Sequence, residues 1–283
     1  MAFFVLMAAL DRNIRTVTFW DAQAPWQQTW LAHCQYHRDL ISLLAPQVQP
    51  GWQVLDIGAG SGVLALPLHR QGCQVTALEP SRGMRALLRQ TLQEHPPAQV
   101  SIDRRTWEEV PLSQLRGYDL MLACNSLHVT ACGFSRALAK IFRAGPAHVC
   151  LISETRFLPA RPLRQPPGYR LRWQRHLTAD SSVAYHSWAE VWRHFQHHWG
   201  RPPTVAEQAA LKAELIAEQQ HYWLKQQAHL TIWWWSTTSK GEWRHHGEKI
   251  HTHRLAGGWP VGERADGSWG GADRDHPGAV STP

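Results

Sequence analysis

The feature that most constrains this chain is a regular alternation between residues 53 and 153. Short apolar runs at 53–57, 73–79, 99–103, 118–124 and 147–153 are separated by stretches that read as helices. The segment 63–70 follows a glycine cluster, Ser81 stands as a cap before a helix through about Glu94, and 134–143 reads as a helix stopped by Gly145-Pro146. Strands alternating with helices at this spacing predict parallel βαβ units. The strands are apolar nearly throughout, as in a sheet covered on both faces. Pro67 is compatible with the first of these helices if that helix begins near Leu64, so that the proline falls in the first turn, where no N–H partner is lost.

Other segments flank this core. Trp26, Trp30, Cys34, His37, Ile41 and Leu44 recur at spacings of three and four, which predicts one helix over 19–46, ended by Pro46 and Pro50-Gly51. After Glu154 the prolines at 159, 162, 166 and 167 mark an irregular connection. Helices are expected at 187–199 and from the cap Thr204 to about Gln227, with Glu207 completing a capping box. Residues 229–235 are strongly β-prone and add a late strand. The expected organisation is an extension at 1–18, a core at 19–154, a helical insertion and last strand at 155–238, and a flexible tail at 239–283. The apolar start of the chain lacks a leading positive charge and ends at Asp11-Arg12, so it reads as a short extension, with Met1 or Met7 as the start.

Chemistry concentrates in Val54-Leu55-Asp56-Ile57-Gly58-Ala59-Gly60-Ser61-Gly62. An apolar strand runs into glycines two apart and then a helix. Glycine serves where backbone turns sharply or a ligand approaches it closely, and the helix start offers unpaired N–H groups. The spacing departs from the dinucleotide pattern GxGxxG, because the third glycine comes one position early. No GK[ST] follows, which excludes a phosphate-cradling P-loop. About twenty residues on, Glu79-Pro80 ends the next strand, where a carboxylate can accept two hydrogen bonds from a ribose diol. Asp56, Glu79, Asp103 and the segment after Cys124 would all emerge at the carboxyl edge of such a sheet.

Asp56 to Gly62 followed by Ala77-Leu78-Glu79-Pro80-Ser81 resembles the class I methyltransferases that use S-adenosylmethionine. The resemblance covers roughly residues 20–154, with an echo at 229–236. It implies an α/β fold: a Rossmann-like, doubly wound, mostly parallel sheet of the seven-stranded type with helices on both faces. It further implies that Gly58, Ala59, Gly60 and Gly62 wrap the methionine part of S-adenosylmethionine, and that Asp56 orders the loop. Glu79, with Pro80 beside it, holds the ribose. Asp103, Thr106 and Trp107 occupy the stretch that meets adenine, although the small residue that often follows the acid is missing there. Trp107 either stacks on adenine or plugs the core. Asn125 lies where the family contacts methionine and substrate, and the leading helix with Trp20, Trp26 and Trp30 lies where a lid closes over the cofactor.

His128 is a candidate general base, since imidazole titrates near neutral pH, or else a histidine that lines the pocket. Neither NPPY nor DPPY occurs beside it, unlike the branch that methylates amino groups of DNA and RNA. His194, His197 and His198 share helical spacing, and His245, His246, His251 and His253 lie in the tail; no carboxylate or cysteine completes a metal set, so these read as solvent-exposed and no metal is expected. The sixteen tryptophans read as core and pocket wall. Five cysteines without CxxC spacing suggest a reducing, cytoplasmic setting.

The net charge of +7 permits nucleic acid as a partner, yet the basic residues are scattered rather than clustered, and a small-molecule substrate is the favoured partner. Arg156, Arg161, Arg164, Arg170, Arg172 and Arg175, with Phe157, Tyr169 and Trp173, form either a solvated basic loop or the wall of a site for an acidic or aromatic molecule. No run of about 18 apolar residues exists, so no spanning helix is expected. A methyltransferase acting on RNA or protein, and a non-catalytic domain of the same fold, stand as the alternatives.

Overall fold

The computed structural model describes residues 16–238, apart from 97, 98, 164, 165 and 219. The extension through residue 15, the choice of start, Arg164, and the tail from residue 239 with its four histidines lie outside the described residues.

The chain opens with α1 (Val17–Leu31) and α2 (Tyr36–Leu44). Then come β1 (Gln53–Ile57), α3 (Ala65–Arg70), β2 (Gln74–Leu78), α4 (Arg82–Glu94), β3 (Ser101–Asp103) and β4 (Leu120–Cys124). α5 (Phe134–Ala144), β5 (His148–Glu154), β6 (Tyr169–Asp180) and β7 (Val183–Tyr185) follow. The described chain ends with α6 (Trp188–Trp199), α7 (Val205–Glu214), β8 (Leu215–Glu218), β9 (His221–Leu224) and β10 (Gln227–Thr237).

Seven strands form one sheet in the order β3-β2-β1-β4-β5-β10-β6, parallel from β3 through β5, with β10 antiparallel to both β5 and β6. This has the parallel βαβ units expected from the alternation, in the doubly wound, mostly parallel sheet that the resemblance implies. Successive side chains of a strand point to opposite faces. Val54, Val75, Leu120, Leu122 and Ile152 accordingly pack with Leu40, Leu44, Leu64 and Leu88 on one face. Leu55, Ile57, Met121, Ala123 and Leu151 pack with Leu138 and Ile141 of α5 on the other. Both registers of each central strand are buried, which is why these strands read as continuous apolar runs.

Local signals behave as their chemistry requires. Ser81 Oγ accepts from Met84 N at 3.1 Å and caps α4. Thr204 and Glu207 form the reciprocal capping box of α7. α3 is preceded by Leu64 as its cap, so Pro67 is its third residue.

Three expectations are corrected. The segment 19–46 is two helices, because α1 packs on α4 and α6 while α2 enters the main core through Tyr36, Leu40 and Leu44. The chain turns between them, where Cys34 Sγ meets the carbonyl of Asp180 at 3.2 Å. The helix from Thr204 stops at Glu214 rather than near Gln227. Helix-forming residues there yield to pairing of β8 with β9 and of β9 with β7 in a small antiparallel sheet. That sheet shares a cluster with α6 through Tyr185, Val191, Phe195 and Leu224. The insertion is therefore not purely helical, and residues 169–180 are a twelve-residue edge strand, with Tyr169 and Trp235 in one core cluster and Trp173 packed against the other.

Candidate functional site

The strand order reverses between β1 and β4, and the chain leaves both strands at the same sheet edge. Open α/β sheets bind ligands in the crevice there. A cavity of about 1280 Å³ opens at this edge. That exceeds the roughly 300–1,000 Å³ typical of a site for one drug-sized ligand, so two ligands can share it.

The loop after β1 forms one wall. The N–H groups of Gly58 and Ala59 donate to the carbonyl of Leu78 at 2.8 and 3.1 Å, which folds the loop back over β2. Its three glycines have different jobs. All have positive φ, but a Cβ at Gly58 would stand 2.5 Å from Ser126 Cβ, and one at Gly62 would stand 2.2 Å from Leu88 Cδ1. Those two positions are closed by packing. A Cβ at Gly60 would meet nothing within 4 Å, although Gly60 lines the cavity. Gly62 does not line it, so its role is to seat the loop on α4.

Glu79 is buried beside this loop, with Oε2 accepting from Gly60 N and Oε1 from Ser81 N, both at 2.8 Å. Burial raises its pKa, and the two N–H groups and Arg85 oppose that rise. Asp56 is also buried, and burial together with the Glu79 charge holds its carboxyl up at about 7. Arg85 braces the turn, donating to the carbonyls of Glu79 and Pro80 at 2.8 and 2.6 Å. α1 is fastened here too: Asp21 Oδ1 accepts from Ser81 Oγ at 2.7 Å and from Gly83 N at 3.0 Å.

Asn125 follows β4 with φ of 49°, a left-handed conformation that asparagine tolerates better than most residues. Its Oδ1 accepts from Glu154 N at 2.8 Å, and its Nδ2 donates to the buried hydroxyl of Tyr36. It thereby joins α2 to the ends of β4 and β5. Glu154 pairs with Arg156 at 2.8 Å. Arg156 lies 4.6 Å over the ring of Phe157, and His128 stacks on that ring at 3.8 Å. All of these residues line the cavity.

Of the residues expected from sequence, Asp56, Gly58, Ala59, Gly60, Glu79, Pro80, Thr106, Trp107, Asn125 and His128 line this one cavity. Asp103 does not; its carboxylate is gripped by Arg105 at 2.6–3.1 Å, which lowers its pKa. Trp107 is 3% exposed and its indole N–H donates to the carbonyl of Ala137 at 3.3 Å, so it belongs to the core while touching the cavity. Trp20 and Trp30 line the cavity, whereas Trp26 stacks on His194 at 4.7 Å.

The helical histidines are the main correction here. His194 is buried and His197 and His198 are partly buried, because α1 covers this side of α6. Among the described residues no group of three or more His, Cys, Asp or Glu is arranged to hold a metal. Sequence reasoning missed Gln23, Tyr36 and Glu154 as cavity residues; Tyr36 and Glu154 carried a signal only in bordering the leading helix break and the end of β5.

Three groups fit a polar, cationic ligand on the glycine-loop side. Ser61 Oγ is buried without a hydrogen-bond partner, Gly60 leaves open space, and an ionised carboxylate such as Glu79 has about four acceptor sites, of which two are used.

Residues 54–145 match the model of a methyltransferase domain family. A ubiquinone biosynthesis O-methyltransferase from Methylocella silvestris is 35% identical over 104 residues, which is 36% of this chain and 40% of that protein. The chain therefore matches less than half the length of that curated relative. Among solved structures, magnesium protoporphyrin IX methyltransferase from Synechocystis with bound SAM aligns at 15% identity over 72% of this chain and 80% of its own, with a TM-score of 0.42. The YcgJ protein from Bacillus subtilis aligns at 15% identity over 71% of this chain and 98% of its own, with a TM-score of 0.42. The chain is thus similar to a methyltransferase domain family over residues 54–145, the segment that carries β1 to α5 and the glycine loop.

Proposed function

We propose that this chain transfers a methyl group from S-adenosylmethionine to a small-molecule acceptor. The observation that carries the reading is the single cavity that joins Glu79 and the Gly58–Ser61 loop to a wall of aromatic and polar side chains. Glu79 would hold the ribose hydroxyls. Residues 58–61 would hold the methionine part, Asp56 would order the loop from below, and Pro80, Met84, Thr106 and Trp107 would border adenine. When bound, the cofactor supplies a methyl group on a positively charged sulfur together with its leaving group.

The protein's own task is alignment and exclusion of water. α1, latched by Asp21 to Ser81 and Gly83, presents Trp20, Gln23, Gln27 and Trp30 to the cavity. Asn125, fixed by Tyr36 and Glu154, marks the junction between donor and acceptor regions. His128, held flat against Phe157, is the candidate base for an acceptor that must lose a proton. The small-molecule reading is supported by the aromatic wall, and by the relative named as an O-methyltransferase of ubiquinone biosynthesis. Among the described residues the scattered arginines do not line the cavity, apart from Arg156, which is paired with Glu154. We therefore place an RNA or protein acceptor second.

Calorimetric titration with S-adenosylmethionine and S-adenosylhomocysteine, with NADH as control, tests the reading. Binding of the first two alone is expected, and Glu79→Ala should weaken it at least tenfold, about 1.4 kcal/mol. Unchanged affinity in a folded Glu79→Ala protein would remove the ribose assignment. Absence of binding in the wild-type chain would remove the methyl-transfer reading.

A further inference from the structure

Around the cavity, three buried polar atoms outside the matched segment lack a hydrogen-bond partner: Gln23 Oε1, His37 Nδ1 and His198 Nδ1. They come from α1, α2 and α6. Buried polar atoms in folded proteins are nearly always satisfied, so several orphans around one cavity point to a ligand that supplies the missing partners.

The hydrogen-bond chain behind His198 fixes what that ligand must bring. Gln23 Nε2 faces His194 Nε2 at 3.2 Å, and an amide NH₂ only donates. His194 Nε2 is therefore the accepting nitrogen, and His194 Nδ1–H donates to Tyr185 Oη at 2.7 Å. His198 Nε2 lies 2.9 Å from the same His194 Nε2, so it carries the hydrogen and donates. His198 Nδ1 is left as a bare lone pair. Gln23 Oε1, a carbonyl oxygen, is likewise an acceptor. Two acceptors call for a ligand with hydroxyl or N–H hydrogens.

The surrounding wall restricts the class further. Trp20, Trp30 and Phe157 supply flat apolar surface, and Glu154 and Arg156 neutralise each other at 2.8 Å. Burial holds both His37 and His198 down at about 4, so the wall presents neutral imidazoles rather than cations at neutral pH. Neutral acceptors beside aromatic faces suit an uncharged hydroxylated ring, and do not suit a phosphate or carboxylate.

We propose that Gln23, His37 and His198, with Trp20, Trp30 and Phe157, form the acceptor subsite, and that it takes an uncharged hydroxylated aromatic compound, a hydroxyl of which donates a hydrogen bond to His198 Nδ1. This rests on the methyl-transfer reading above and names its substrate class.

The probes are 2-naphthol and 2-methoxynaphthalene, which lacks the donor, titrated calorimetrically into the full chain with and without S-adenosylhomocysteine. Wild-type protein should bind 2-naphthol at least tenfold tighter than its methyl ether. His198→Ala should weaken 2-naphthol binding at least fivefold and leave S-adenosylhomocysteine affinity unchanged. His198→Asn, whose carbonyl oxygen falls near the Nδ1 position, should restore part of the loss; His198→Gln, which reaches toward the Nε2 position and His194, should not. A merely structural His198 predicts the reverse order, with Gln as the rescuer, and that result overturns the proposal. Equal binding of the two naphthalenes, or of neither, overturns it as well. If His198→Ala fails to fold, His37→Ala leaves the Tyr185–His194–His198 chain intact and should still weaken 2-naphthol at least threefold; no change there counts against the subsite. Wild-type protein that fails to bind S-adenosylhomocysteine sinks the methyl-transfer reading, and the titrations without it then decide the subsite by the same order of variants.

Discussion

Replacing the loop glycines one at a time separates stability from binding. At Gly60 the φ of 57° makes alanine strained by roughly 1–2 kcal/mol, but its Cβ meets no protein atom within 4 Å. At Gly62 the φ of 83° carries a similar strain, and the Cβ would stand 2.2 Å from Cδ1 of Leu88, which is fully buried. Overpacking of that kind adds roughly 1–3 kcal/mol. Gly62→Ala should therefore lower stability by roughly 2–5 kcal/mol in total, a large part of the 5–15 kcal/mol of a typical domain. Urea unfolding followed by fluorescence measures both losses. Calorimetry on the folded proteins should show the opposite ranking. Gly60→Ala places a methyl group in the open part of the cavity and should weaken S-adenosylmethionine at least tenfold, or about 1.4 kcal/mol. Gly62→Ala should change that affinity less than threefold. If Gly60→Ala binds like wild type, or destabilises as much as Gly62→Ala, the division of labour within the loop is wrong.

Asp56 gives a pH-dependent test. Its carboxyl titrates near 7 in the folded chain against about 3.9 when unfolded. Stability from this group is full below the unfolded value and is lost as pH rises through the folded one, at about 1.4 kcal/mol per unit and about 4 kcal/mol in all. Asp56→Asn removes the titration, so its stability relative to wild type should rise by several kcal/mol between pH 4 and pH 8 in urea melts; a constant difference would contradict the assignment. Asn125→Ala should cost roughly 2–4 kcal/mol, from left-handed strain at φ 49° and the lost bonds to Tyr36 and Glu154. Asn125→Gly relieves the backbone part and should lose less; an equal loss in both variants would show that the backbone conformation contributes nothing.

The glycine-loop half of the candidate site was legible because it is nearly contiguous. Asp56, the glycines, Glu79 and Ser81 fall within 26 residues, and each does a job that its own chemistry announces: a buried acid at a strand end, a turn, a capping hydroxyl. Even there, sequence did not distinguish Gly60, open to the cavity, from Gly58 and Gly62, closed by Ser126 and Leu88. That distinction depends on which side chain of a distant element lies opposite. Asp103 failed for a related reason: Arg105 claims its carboxylate two residues on, and the pattern of acids at strand ends carries no record of that local competition.

The other half was hidden for physical reasons that differ from element to element. β6 alternates Tyr169, Leu171, Trp173, Leu177 and Ala179 with polar residues, a strand period in plain view, but the intervening arginines also fit a solvated loop. Leu215–Glu218 of β8 continue a run of good helix formers, and only pairing with β9, itself paired to β7, overrides that preference. His194, His197 and His198 looked solvent-facing because histidines at helical spacing have no intrinsic reason to be buried. His194 is buried, and its neighbours partly so, because α1, 171 residues earlier at Gln23, lies across this face. On the proposed reading, the cofactor side is built from one βαβ unit and the acceptor wall from the outer helices α1, α2 and α6. The acceptor is then encoded by contacts such as Gln23 to His194 rather than by any motif.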